Sequence, residues 1–210
     1  MDRIDYQCKY HWVFNHMRII EVPQFGPMFR FADYNVYWAL YLISDGKRVG
    51  RKRLADMVGI GEGSMRRIIE TLRDWEMIDI KQTGIKITAT GLGFVNELPM
   101  KVLKLNIGNL VVGDFQQALL IEGVSHKIEN GMQQRDAGIR AGSKGCTTIV
   151  YKDGVLTMPP DWNLDKERPI LASTIRRTIN MGENDIIIVG GADVKVDAVN
   201  GALAAAFELF

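Results

Sequence analysis

The run from Val49 to Ile78 constrains this chain more than any other stretch. It reads Val-Gly-Arg-Lys-Arg-Leu-Ala-Asp-Met-Val, then Gly-Ile-Gly, then Glu-Gly-Ser-Met-Arg-Arg-Ile-Ile-Glu-Thr-Leu-Arg-Asp-Trp-Glu-Met-Ile. The spacing predicts a short helix over 51–58 that buries Leu54, Met57 and Val58. A turn at Gly59-Ile60-Gly61 follows, then a longer helix to Glu76. The inward face of that second helix is Met65, Ile68 or Ile69, Leu72 and Trp75, at intervals of three and four. Residues 78–82 and 85–88 alternate apolar and polar around Thr83-Gly84, which predicts a hairpin. Helix, glycine turn, basic helix and hairpin follow each other in the order of a winged helix-turn-helix, a module that lays its second helix in the DNA major groove.

Charge supports that reading locally, not globally. The whole chain carries a formal net charge of only +1. From Lys47 to Lys86, however, ten Lys/Arg stand against six Asp/Glu, a balance of +4. Residues 101–210 hold twelve basic and thirteen acidic groups, a balance of −1. A nucleic-acid footprint is therefore expected on the first half. Arg66 and Arg67, near the start of the second helix, are candidates for base edges, with Ser64 and Arg73 on its exposed faces. Arg48, Arg51, Lys52 and Arg53 fit phosphate contacts, and Lys81 and Lys86 would sit on the wing. The alternative is a solvated face on a module that packs against protein. Gly59-x-Gly-x-Gly63 lacks the Gly-Lys-Ser/Thr ending of a phosphate loop and lies between helices, so a tight turn is expected there.

Around this module the chain divides into an aromatic-rich arm (1–32), the winged helix-turn-helix domain (33–99) and a C-terminal domain (100–210). Asp33 is read as an N-cap for a helix containing Val36, Leu40 and Ile43, closed by Ser44-Asp45-Gly46. Thr90 is read as the cap of a last helix ending near Leu98, and Pro99 as the boundary. In the second half, strands are expected at 102–107, 115–121, 146–151, 155–158 and 185–189. Helical segments are expected at 125–141, 168–180 and 194–209. Lys152-Asp153-Gly154 is a hairpin signal. The sum is an α+β chain whose C-terminal domain has helices on one face of a mixed sheet.

Gly50-Arg-x-x-Leu-Ala, continued by Gly59-Ile-Gly-Glu-Gly-Ser-Met-Arg66, resembles the N-terminal winged helix of a family of archaeal two-domain transcriptional regulators. It is also similar to the DNA-binding domain of the bacterial central glycolytic gene regulator. The archaeal resemblance continues through Gly131-Met-Gln-Gln-Arg-Asp-Ala-Gly138 and Gly142-Ser-Lys-Gly-Cys-Thr-Thr148, in a half of unknown function; residues 1–24 fall outside it. The resemblance implies a regulator and supplies neither a ligand nor catalytic residues.

Two features of the second half suggest a small anionic effector. Arg135-Asp136 could place a guanidinium at a pocket mouth, or form a surface ion pair. The apolar strand ending in Gly190-Gly191 and leading past Asp193 into a helix could offer backbone N–H groups to an anion. It could equally be a plain strand-to-helix turn capped by Asp193. Arg176-Arg177 could add a cationic wall or face water. Convergence of Arg135, Asp136, Gly190, Gly191 and Asp193 in one cleft would favour an enzyme acting on a small anionic metabolite.

No metal is expected: Cys8, His11 and His16 lack a second ligand cluster, and His126 is remote. Cys146 reads as a small core residue. Two cysteines far apart, no ~20-residue apolar run and no leader pattern point to a cytoplasmic protein without disulfides. The sequence-level expectation is a DNA-binding regulator that pairs with duplex DNA as a homodimer, without cofactor, metal or enzymatic activity.

Overall fold

The computed structural model describes residues 31–210. Residues 1–30 of the arm, with Cys8, His11 and His16, lie outside the described residues. The chain divides into two compact units, with the break between Leu98 and Pro99.

The first unit opens with α1 (Asp33–Leu42), α2 (Arg51–Val58) and α3 (Glu62–Asp74). A hairpin of β1 (Ile78–Lys81) and β2 (Gly84–Ile87) follows, then α4 (Ala89–Glu97). α2 ends at Gly59, whose left-handed φ of 78° turns the chain, and its N–H bonds the Ala55 carbonyl. α3 buries Met65, Ile68, Ile69 and Leu72, the stripe read from the sequence. Trp75 and Met57 are only half-buried, and Ala55 is buried where Met57 was expected.

Both expected caps shift. Asp33 is the first helical residue; Ala32 is the N-cap, and its N–H donates to Asn35 Oδ1 at 2.9 Å. Thr88, not Thr90, caps α4: its Oγ1 accepts from the Gly91 N–H and donates to the Glu76 carbonyl. Thr88 closes the hairpin as well as opening the helix, which places the cap two residues earlier.

The hairpin pairs Ile78 with Ile87 and Lys81 with Gly84, so its loop is Gln82-Thr83, one residue before the turn expected. Gly84 begins β2 with a φ of +120°. A Cβ there would stand 2.9 Å from the Val49 carbonyl oxygen, so only glycine fits. Val49 explains that crowding. It bridges Ile85 in antiparallel fashion, with both N–H···O bonds at 2.9 Å, and adds a third edge to the hairpin.

The second unit holds a six-stranded sheet in the order β3-β4-β8-β5-β6-β7. Its strands are β3 (Met100–Leu103), β4 (Phe115–Ile121), β5 (Gly145–Lys152), β6 (Val155–Met158), β7 (Trp162–Asn163) and β8 (Ile186–Ala192). Its helices are α5 (Met132–Arg140), α6 (Leu164–Glu167), α7 (Pro169–Thr178) and α8 (Lys195–Phe207). The α+β class read from the sequence is present. Where a mixed sheet was expected, every pairing in this sheet is antiparallel. β4 and β5, joined through α5, do run parallel, but β8 is inserted between them and pairs antiparallel with both. Strand–helix–strand order in the sequence cannot show that insertion.

Helices cover both faces, not one. On one face Ala118, Leu120, Ile149, Ile187 and Val189 pack with Ala172 and Ile175 of α7. On the other, α8 lies on β4 and β8, and α5 packs on β5 and α8. All seven residues of β8 are buried, as a strand covered on both faces and paired on both edges must be.

Candidate nucleic-acid interface

The helix–turn–helix puts its apolar stripe inward, and the polar remainder of both helices necessarily faces out. Arg51, Lys52 and Arg53 at the start of α2 are exposed, as are Arg66 and Arg67 on α3; Ser64 is half-buried. Lys52, Arg53 and Arg66 make no ion pair among the described residues. Arg51 is loosely associated with Glu62, Nη2 to Oε2 at 3.9 Å, and both side chains are about half exposed. Arg73 folds back on its neighbour, donating from Nε and Nη2 to Asp74 Oδ1 at 3.1 and 2.8 Å.

On the hairpin, Asp79 faces Lys86 across the strands and Lys81 lies two residues along, so the three share one face. Lys81 and Lys86 are exposed. The Arg48 guanidinium, expected among the phosphate contacts, is engaged inside the unit. Its Nη1 donates to the Gly84 carbonyl at 2.8 Å and Nη2 to Asp79 Oδ2. Arg48 beside it holds the Asp79 carboxyl below the usual carboxylate range. Nothing local marks Arg48 off from its basic neighbours; Asp79 is the lone acid of the hairpin, but which cation it meets depends on the fold.

The residues expected to bind an effector do not come together. Arg135 donates to Asp136 Oδ1 at 3.1 and 3.0 Å on the exposed face of α5. Asp193 instead pairs with Lys144, and neither pair touches the other. Gly190 and Gly191 point to opposite faces of the sheet, and both faces are filled. A Cβ on Gly190 would lie 2.6 Å from the Ala202 nitrogen, and one on Gly191 2.8 Å from Val111 Cγ2. Their backbone runs between β4 and β5 in the ladder. The double glycine therefore serves close packing of α8 on one face and of the Val111–Val112 segment on the other. It is not an anion cradle, and Val194 rather than Asp193 is the N-cap of α8. The single cleft that the enzyme reading required does not form from these residues.

The remaining candidates are also accounted for. Arg176 clamps Asp165 and donates to the Gly154 carbonyl at 2.9 Å, while its neighbour Arg177 is exposed. Cys146 is buried beside Ser143, and burial pushes its thiol up to about 11. No group of three or more His, Cys, Asp or Glu among the described residues is arranged to hold a metal. No helix among them is long and apolar enough to cross a membrane.

Comparison with known families follows the division between the two units. Residues 35–102 match the family model described as the CggR N-terminal DNA binding domain. Residues 112–209 match a domain of unknown function, DUF4443. Two families meet in one chain. That pairing is the two-domain arrangement the sequence resembles. Among solved structures, the hypothetical protein PH0730 from Pyrococcus horikoshii OT3 shares the fold at a TM-score of 0.69 and 20% identity. The match covers 86% of this chain and 93% of that one. No curated protein matches.

Proposed function

We propose that this chain is a sequence-specific DNA-binding transcription regulator. In this reading the N-terminal unit is a winged helix: α3 enters the major groove, Arg66 and Arg67 read base edges, and Lys52 and Arg53 grip phosphates. The hairpin is the wing, with Lys81 and Lys86 directed to the neighbouring backbone. The observation that carries it is the set of exposed cations, Lys52, Arg53 and Arg66, left without an acidic partner among the described residues on a helix–turn–helix. The match of residues 35–102 to a DNA-binding family supports it. As a homodimer the protein would address two half-sites about 34–36 Å apart. Val112, Phe115 and Val194, exposed around the end of β8, supply apolar surface for that association.

The test is binding to duplex DNA from the gene's own upstream region and to a random-sequence pool, each titrated across salt. Affinity should fall linearly on a log–log scale with salt. Arg66→Ala/Arg67→Ala should lose sequence preference, at about 1–3 kcal/mol for each bidentate base contact removed. Absence of salt-dependent affinity for both DNAs would refute the regulator reading. Sedimentation of the wild type against Phe115→Glu tests the dimer.

A further inference from the structure

We infer that Arg48 is a positioning residue that sets the hairpin for DNA and does not itself touch DNA; this rests on the regulator reading above. One guanidinium spans both strands of the hairpin: Nη1 bonds the Gly84 carbonyl of β2, and Nη2 bonds the Asp79 carboxylate of β1. The Asp79 carbonyl lies 3.4 Å from Nη1 as a third acceptor. The next residue, Val49, continues the attachment through its paired backbone bonds to Ile85. Arg48 is thus enclosed, its side chain 22% exposed against 66% for Lys81.

Two consequences follow from this geometry. A two-stranded hairpin is marginal by itself, and here a planar fork with fixed donor directions ties both strands to the chain entering α2. The same contact neutralises Asp79, the carboxylate that shares a face with Lys81 and Lys86. Without Arg48, that carboxylate, which Lys81 Nζ already approaches to 3.9 Å, would hold the two lysines on itself and away from the phosphates they are placed to meet. A phosphate contact would need only the charge at position 48; a clamp needs the fork.

Arg48→Lys separates these roles in the full chain, with Arg48→Ala beside it. Hydrogen exchange of the Ile85 and Val49 amides is read without DNA, and salt-titrated binding with it. Both variants should exchange these amides at least ~10-fold faster. Both should bind DNA more weakly, with the salt slope smaller by about 2 as Lys81 and Lys86 lose their phosphates. Sequence preference, set by α3, should stay at the wild-type value, which a general loss of folding would not allow. Wild-type exchange and affinity in Arg48→Lys would overturn the inference. So would wild-type exchange with a slope reduced by about 1 in Arg48→Ala alone, the mark of a direct phosphate contact. If the wild type shows no salt-dependent DNA affinity while both variants exchange faster, the clamp stands and the regulator reading is what fails.

Discussion

Lys52, Arg53 and Arg66 of the N-terminal unit stand exposed with no acidic partner among the described residues, whereas Arg135, Arg140 and Arg176 of the C-terminal unit each lie on a carboxylate. Glycine serves both ends in both halves. Gly63 and Gly93, in helices of the first unit, have open space where a side chain would go, whereas Gly84 and Gly91 of that unit are enclosed by neighbouring chain, as Gly190 and Gly191 of the second are. The first unit leaves these three cations open on α2 and α3 while Arg48, Arg51 and Arg73 meet carboxylates. The second holds the three arginines named on its own acids, leaves Lys104, Lys152 and Arg177 without an ion pair among the described residues, and packs backbone against backbone at Gly190 and Gly191. A net charge difference between two segments therefore says less than which individual charges lack a partner.

Substitutions can break or sharpen this contrast. The largest effect is expected from Gly190→Val, which drives a side chain into α8 at Ala198 and Ala202. It should cost about 1–3 kcal/mol or more of C-terminal stability by overpacking, read as a lower unfolding midpoint in denaturant. Arg176→Ala comes next, at about 1 kcal/mol, because it removes a bidentate partner from Asp165. Its pH dependence has a definite sign. Arg176 holds the Asp165 carboxyl below its ordinary value, so the pair's contribution is complete above the unfolded carboxylate pKa of about 3.9 and is lost as pH falls through the lower folded value. The gap in melting temperature between wild type and Arg176→Ala, present at neutral pH, should close below about pH 4. A gap that persisted there would mean that packing, not charge, ties Arg176 to the sheet.

Gly93→Ala should act in the opposite direction, stabilising the first unit by about 0.4–1 kcal/mol through helix propensity and unfolded-chain entropy. Smallest of all is the stability change from Lys52→Ala/Arg66→Ala, expected within about 0.5 kcal/mol because neither side chain has a partner to lose among the described residues. Thermal melts read both. A clear loss of stability in the double variant would show that these cations hold the fold, and would weaken their assignment to DNA.

The boundaries of α2 and the stripe of α3 could be read in advance because glycine turns and apolar spacing act locally. So could the strand from Phe115 to Ile121, whose second half, Ala118 to Ile121, is one short apolar run. What escaped the sequence depended on distant partners. Thr88 serves as a cap because it also bonds Glu76 across the hairpin. Val49 is half a strand only because Ile85 returns beside it. Arg48 resembles its basic neighbours until Asp79 and Gly84 are brought to it. Gly190-Gly191 resembles a ligand turn because close helix packing and close ligand approach ask for the same residue. The short α6 and β7 were not anticipated; Asn163 makes them by capping α6 with its side chain while pairing with Thr157.

The insertion of β8 also carries a consequence for how the protein is made. β4 and β5 are its two neighbours, and both leave the ribosome well before residues 186–192 do. Until that segment emerges, the nascent sheet consists of two separate hairpin-like halves, each with an open apolar edge where its missing neighbour belongs. The first unit, by contrast, has every one of its described elements in hand by Leu98 and can fold as a unit during synthesis. The cell therefore meets the helix–turn–helix before the partner domain is formed, and a translation stall ahead of β8 would leave a folded N-terminal unit attached to an aggregation-prone half-sheet.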